Sequence, residues 1–188
     1  MPKTIGLIVE DKSDSDVVRA MLQKILSPKR FKVLVVHARG CGKIKSKCRR
    51  WAENLRIRGC KALILVQDLD NKTYAALNGE LEYALRPSPI DLYAIIIPTQ
   101  MIEAWLLSDG DALQATFALS TTPSTPNPES IFDPKATLRD LVYVLSGKRR
   151  RYVNAIHNTH IAAALNIQKL QACPSFRPFE RFAQSIFQ

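Results

Sequence analysis

The sequence predicts an α/β fold, a mostly parallel four-stranded sheet flanked by helices with a helical C-terminal extension. Two observations carry that expectation. Short runs of Val, Ile and Leu occur four times within the first hundred residues, and a longer stretch with helical spacing separates each run from the next. Strands and helices alternating at this length connect parallel neighbours through right-handed crossovers, which covers both faces of the sheet.

The strand candidates are TIGLIV ending at Val9, FKVLVV ending at Val36, ALILV ending at Val66 and LYAIII ending at Ile97. Helices are expected over residues 13–26, 43–58 and 73–85. In the first, Val17, Met21, Leu22 and Ile25 build one apolar face, and Ser13 with Asp16 three residues on has the spacing of a capping box. Residues 101–117 read as two short helical segments broken near Asp109-Gly110. A Pro, Ser and Thr-rich loop spans 118–134, with Pro123, Pro126, Pro128 and Pro134. Helical spacing returns through Leu138, Leu141, Val142 and Leu145, then over 152–165 and 176–187. In the last stretch Phe176, Phe179, Phe182 and Phe187 are expected to dock the tail on the body. The organisation is therefore a core at 1–117, a loop at 118–134 and a packed helical extension at 135–188, with no internal repeat.

A chain of 188 residues buries roughly 70% of its unfolded surface and needs no disulfide or metal staple. That length excludes large modular enzymes. No apolar run approaches the ~20 residues of a membrane span, and the acids near the start do not fit a secretory signal, so a soluble cytoplasmic protein with no membrane partner is expected. Cys41, Cys48, Cys60 and Cys173 lack paired zinc-ribbon spacing and read as free thiols. The net charge of +10 favours a polyanionic partner.

Ligands of an open parallel sheet bind outside the carboxyl ends of its strands. Glu10 and Asp11 follow the first strand, Asp68 and Asp70 the third, and Glu103 lies six residues beyond the fourth. Carboxylates gathered at one rim repel one another, a cost that a hard divalent cation offsets. Each acid also has a plainer reading. Asp70 or Asn71 can cap the third helix, Asp14 and Asp16 can serve a first helical turn, and Glu103 can be surface charge.

Ile8-Val9-Glu10 running into a helix with Asp14, together with Asp68-Leu69-Asp70 after a hydrophobic strand, resembles the signature of the Toprim family. The segment from Pro98 to Leu107 resembles the Glu-x-Trp-Leu-Leu segment of small Toprim-like proteins of unknown function, which are related to the nuclease domain of overcoming-lysogenization-defect proteins. The likeness covers about residues 4–108, with a looser one at Cys173-Pro174-Ser175-Phe176. Asp11 departs from it, standing where many Toprim proteins have glycine.

The resemblance implies Mg2+ or Mn2+ held by Asp68 and Asp70 with help from Glu10 and Glu103, Glu10 alternatively acting as general acid or base. It implies phosphodiester chemistry on DNA or RNA. Size excludes a topoisomerase, and the absence of a zinc module argues against a complete primase, which leaves hydrolysis. The competing expectation is a non-catalytic nucleic-acid-binding or accessory module working with a separate ATPase.

Basic residues complete the expected site. Nine Lys and Arg fall between Arg39 and Lys61 against a single acid, Glu53. Arg39-Gly40-Cys41-Gly42-Lys43 is a glycine-containing turn into a helix, so Arg39 and Lys43 are the candidates for the scissile phosphate. Lys45, Lys47, Arg49 and Arg50, and a second cluster at Lys148, Arg149, Arg150 and Arg151, are candidates for the nucleic-acid backbone or for a solvated face. His37 can contact phosphate or be an ordinary loop residue, and His157 with His160 is a weak metal pair. Trp51 and Trp105 are expected in the core or at its rim.

Overall fold

The four apolar runs form β1 (Lys3–Val9), β2 (Phe31–His37), β3 (Ala62–Val66) and β4 (Leu92–Ile96) in a computed structural model that describes residues 3–188, the side chain of Cys41 excepted. The spatial order is β2-β1-β3-β4 and every pairing is parallel. β1 and β3 are central, so both of their faces are covered and their sequences stay apolar without alternation. The edge strands β2 and β4 are only half-buried along much of their length.

Alternate strand residues feed two cores. Helices α2 (Cys41–Ile57) and α3 (Tyr74–Leu85) pack Ile44, Cys48, Leu55, Leu77 and Leu81 against Ile8, Leu63 and Leu65 on one face. On the other face, Val17, Met21 and Leu22 of α1 (Lys12–Leu26) meet Ile5, Leu7, Val9 and Ile64. That second core also takes in α4 (Glu103–Leu107), α5 (Gly110–Phe117), α6 (Pro134–Leu145), α7 (Asn154–Ala164) and α8 (Phe176–Ser185). The extension thus shares its core with the sheet. Trp105 is fully buried, with Phe176 edge-on at 5.3 Å and Phe179 at 5.9 Å. Truncating either phenylalanine to alanine costs about 3–5 kcal/mol at sites of this kind.

Two starts differ from the sequence expectation. α1 is capped by Asp11, not Ser13: Asp14 N donates to Asp11 Oδ1 (3.1 Å) and Asp11 N to Asp14 Oδ2 (3.3 Å). Ser13 is instead buried, its hydroxyl donating to Asn154 O (3.3 Å), while Asp16 accepts from Lys12 (2.5 Å). α7 begins at Asn154, which leaves Tyr152 outside the helix with its ring turned into the core.

The 118–134 segment contains a 3-10 turn at Pro128–Ser130 and is tied to the body. Glu129 accepts from Ser175 N (3.1 Å) and from the Ser175 hydroxyl, whose oxygen also accepts from Trp105 Nε1 (2.8 Å) and Thr99 N (3.2 Å). Gly110 lets this segment cross the start of α5, because a Cβ there would lie 1.8 Å from Pro123 O.

Cys48, Cys60 and Cys173 are buried free thiols, and Cys173 is pushed up to about 12 by burial and by Glu129; the side chain of Cys41 lies outside what is described. At the amino rim of the sheet, Lys3 Nζ donates to Ile186 O (2.5 Å) and stands 5.1 Å from the centre of the Phe187 ring. Among the described residues no helix is long and apolar enough to cross a membrane.

Candidate functional site

All four strands run the same way, so the residues that follow them share one rim. Hydrogen bonding continues past the strand ends and draws these loops together: Arg39 N donates to Glu10 O (2.9 Å), Gln67 N to Ile96 O (3.1 Å) and Asp70 N to Gln100 O (2.9 Å). Three residues that are not glycine hold a left-handed backbone here: Arg39 (φ 56°), Asp70 (φ 51°) and Gln100 (φ 60°). Each sits beyond a different strand. Such conformations cost on the order of 1–3 kcal/mol and persist where the surroundings enforce them.

One half of the rim is a closed hydrogen-bonded network. Asp68 Oδ1 accepts from Ile102 N (3.0 Å). Glu103, at the start of α4, is only 4% exposed, which rules out the surface-charge reading. Its Oε1 accepts from Tyr152 OH (3.3 Å) and Asn158 Nδ2 (3.2 Å). Asn158 is fully buried, also donates to Ser13 Oγ (2.8 Å), and accepts from Tyr152 OH (2.5 Å). Four chain segments therefore meet around one carboxylate.

The charges in this half oppose one another. Burial, then the neighbouring Asp11 and Glu103, push Asp14 up to about 8. Burial, then Asp14, Glu103, Glu10 and Asp70, hold Asp68 well above the usual carboxylate range. Tyr152 is likewise raised, by burial and by Glu103.

The other half is unsatisfied. Glu10 is raised by burial, then by Asp70 and Asp11, with Lys72 acting against the shift. Its Oε1 is buried without a hydrogen-bond partner, and so are both Nε2 and Oε1 of Gln67, which is 1% exposed. Among the described residues these are the side-chain atoms in that condition. Asp70 is exposed, and α3 is capped by Thr73, which accepts from Ala76 N (3.4 Å), so Asp70 and Asn71 do not serve as its cap.

Glu10, Asp68, Asp70 and Glu103 are thus brought to one rim and joined there by Asp14, for which the sequence also offered the plainer place of an acid in a first helical turn. Their donor set is all oxygen, the chemistry of a hard cation such as Mg2+ or Mn2+, and the partnerless Glu10 oxygen suits such a ligand. As the side chains stand, no group of three or more His, Cys, Asp or Glu among the described residues is arranged to hold a metal ion. Gln67, Ser13, Tyr152 and Asn158 also belong to the site and carried no sequence signal for it.

The basic candidates divide. Arg39 and Lys43 are exposed, and Gly40 (φ 127°) starts α2 without a side-chain cap, leaving first-turn N–H groups available to an anion. Lys47 and Arg50 are exposed. Lys45 instead pairs with Glu80 of α3, and Arg49 with Glu53 (3.5 Å) and Arg86 O (3.3 Å), so these two face a neighbouring helix. Lys148, Arg149, Arg150 and Arg151 are exposed. Arg151 lines a cleft of about 450 Å³ with Arg139, Tyr143 and Tyr152. A second cleft of about 360 Å³ shares Arg139 and Tyr152 and adds Lys135 and Met101. Arg151 thus lies beside Tyr152, whose hydroxyl donates to Glu103 at the acidic rim. His37 Nε2 hydrogen-bonds Ser15 Oγ (3.0 Å), and the His157 ring packs on Phe117 at 4.9 Å with Nδ1 accepting from Val153 N (2.9 Å).

Fold and rim together define an α/β protein whose parallel sheet presents buried and partly buried carboxylates at its carboxyl edge. The chain belongs to the family described as a domain of unknown function, DUF4276, which matches residues 9–182. No curated protein and no solved structure matches the chain.

Proposed function

We propose that this is a cytoplasmic, Toprim-related phosphodiesterase that cleaves nucleic acid with the help of Mg2+ or Mn2+. One observation carries the reading: Glu10, Asp14, Asp68, Asp70 and Glu103, from three separate parts of the chain, gather at one rim, where burial first and then their mutual repulsion raise the carboxyls of Glu10, Asp14 and Asp68. A fold that keeps such repulsion gains nothing from it without a cation. Asp68 and Asp70 are the residues to hold it, with Glu103 fixed behind them by Tyr152 and Asn158. When bound, the cation polarises a phosphoryl oxygen and offsets the developing charge.

The remaining steps belong to the chain itself. Arg39, Lys43 and the uncapped start of α2 hold the phosphate, and Glu10 accepts a proton from the attacking water. Lys135, Arg139 and Arg151, interspersed with Asp133 and Asp140, line two clefts that meet at Tyr152, and their excess of positive charge offers a polyanion a route to the rim. A second reading, a non-catalytic binding module, draws support from Asp68 and Glu103 already being satisfied by hydrogen bonds.

Labelled DNA and RNA panels incubated with Mg2+ or Mn2+, beside the Asp68→Asn variant, decide between them. The enzyme reading expects metal-dependent cleavage that is lost in the variant while binding in EDTA persists. Absence of cleavage by the wild-type protein, with binding unchanged in the variant, supports the module.

A further inference from the structure

We infer that Glu10 and Gln67 form a site for one buried water, and that this water is the nucleophile of the proposed hydrolysis, with Gln67 as its positioning residue. The water's role rests on the phosphodiesterase reading, but its presence does not.

The sheet supplies the first step. Ile8 of β1 pairs with Leu65 of β3, and both side chains enter the core shared with α2 and α3. Two residues further along each chain are Glu10 and Gln67. Strand alternation returns them to that same face, beside each other, just past the paired strands. The β1–β3 ladder ends at Ile8 and Leu65, and past it Gln67 N donates to Ile96 O on the β4 side while Glu10 O accepts from Arg39 N on the β2 side, so the two residues flank the opening between the central strands. The three partnerless buried side-chain atoms, Glu10 Oε1 and Gln67 Nε2 and Oε1, therefore belong to residues at the same level of the two central strands. A buried polar atom without a partner is destabilising, so coincidence of all three points to a ligand that the pair is shaped to hold.

Donor and acceptor types select the ligand. Gln67 Nε2 is a donor, Gln67 Oε1 an acceptor, and the Glu10 carboxylate only an acceptor. A bare cation satisfies the oxygens but leaves the N–H groups unpaired. A phosphate oxygen accepts from Nε2 but meets the charge of Glu10. A water accepts from Nε2 and donates to Glu10 Oε1, which pairs the amide donor and the carboxylate at once and leaves Gln67 Oε1 to a further donor, and it is small enough for a buried site. Held this way, its free lone pair is directed by the amide while one of its protons lies on the carboxylate. In the reaction the water oxygen bonds to phosphorus, that proton passes to Glu10, the bond from phosphorus to the leaving nucleotide oxygen breaks, and that oxygen takes a proton from solvent. Glutamine suits the task because it orients water without competing for the proton.

Two measurements test this. A crystal structure of the wild-type protein at about 1.8 Å or better is expected to show an ordered water within hydrogen-bond range, about 2.7–3.2 Å, of both Glu10 Oε1 and Gln67 Nε2. A direct bond between the two side chains, or no ordered water between them, overturns the site. Gln67→Leu, which fills the same volume, is expected to lower kcat about 10²-fold with KM for nucleic acid and the Mn2+-induced Tm shift both kept. Gln67→Glu, which keeps an acceptor but adds a competing charge, is expected to lower kcat as well. If Gln67→Leu cleaves like wild type, the water is not the nucleophile. If the water is seen and the wild-type protein cleaves no nucleic acid, the phosphodiesterase reading and the catalytic role fall together while the site stands. If cleavage is metal-dependent and no such water is present, only this inference fails.

Discussion

The two halves of the acidic rim are built on opposite plans. On the side of α1 and α7, Glu103, Tyr152, Asn158 and Ser13 satisfy one another, and Asp68 is held by Ile102 N. On the side of α2, Glu10 and Gln67 present buried atoms with no partner, beside Asp70 on a left-handed backbone. The first half is stable scaffold and the second is where a ligand gains most. Such a division lets a rigid network fix the position of reactive groups that are themselves left unsatisfied.

The largest expected effect removes the one cation-holding charge of the closed half while keeping that half's hydrogen bond to Ile102 N. Asp68→Asn is expected to reduce metal-dependent cleavage by about 10²–10³-fold or more, measured on labelled substrate under single-turnover conditions. The same variant keeps its fold, because an amide oxygen can still accept from Ile102 N and one repelling charge is gone. A Tm in EDTA equal to or above that of the wild type checks this, and a large fall would show Asp68 to be scaffold instead.

Metal binding comes next. Mg2+ at a hundred times its Kd contributes about 2.7 kcal/mol, and for a domain of this size that is a rise in Tm of very roughly 5–10 °C. Scanning calorimetry with Mg2+ and Mn2+ up to millimolar concentration reads it. No shift for either ion counts against a site formed without substrate.

Breaking the closed half separates the halves from the other direction. Asn158→Leu leaves Ser13, Glu103 and Tyr152 each short of a partner and is expected to cost about 1–3 kcal/mol, read as a lower urea midpoint. An unchanged midpoint would show that the network is not structural.

The pH dependence follows from the raised carboxyls. The folded protein retains protons on Asp14, Asp68 and Glu10 that the unfolded chain releases near pH 4. Stability is therefore fullest below about pH 4 as far as these groups are concerned, and declines as pH rises toward about 8, where Asp14 ionises. In EDTA the Tm is expected to fall by several degrees between pH 5 and 8.5, and less so with Mn2+ present. A flat or rising profile would contradict the burial and crowding of these acids. The smallest effect belongs to the basic rim: Arg139→Ala or Lys43→Ala should each lower the salt slope of nucleic-acid binding by about 1 if the residue neutralises one phosphate.

The sheet was legible in the sequence because a strand covered on both faces needs a continuous apolar run, and β1 and β3 have such runs. The positions of Glu10, Asp68, Asp70 and Glu103 were legible for the related reason that parallel strands deliver their following residues to one rim. Their partners were not. Asn158 and Tyr152 reach Ser13 and Glu103 across 145 and 49 positions of sequence, and no local spacing signals such a contact. Ser13 misled because its pattern fits a capping box, yet its hydroxyl is buried and Asp11 serves two residues earlier. Gln67 ends a run of buried aliphatics, where a polar residue reads as the beginning of a loop. Lys45 and Arg49 looked like nucleic-acid contacts by charge alone, and only their position against α3 shows them engaged elsewhere.

The contact between Lys3 and the Ile186–Phe187 segment has a practical corollary. Both ends of the described chain emerge side by side at the pole facing away from the acids. A tether attached beside Lys3 or Phe187 would hang the molecule from that pole with its acidic rim outward, so an immobilised form should keep that rim as open as it is in solution, and a circular permutant made by linking the two ends should retain the same open face.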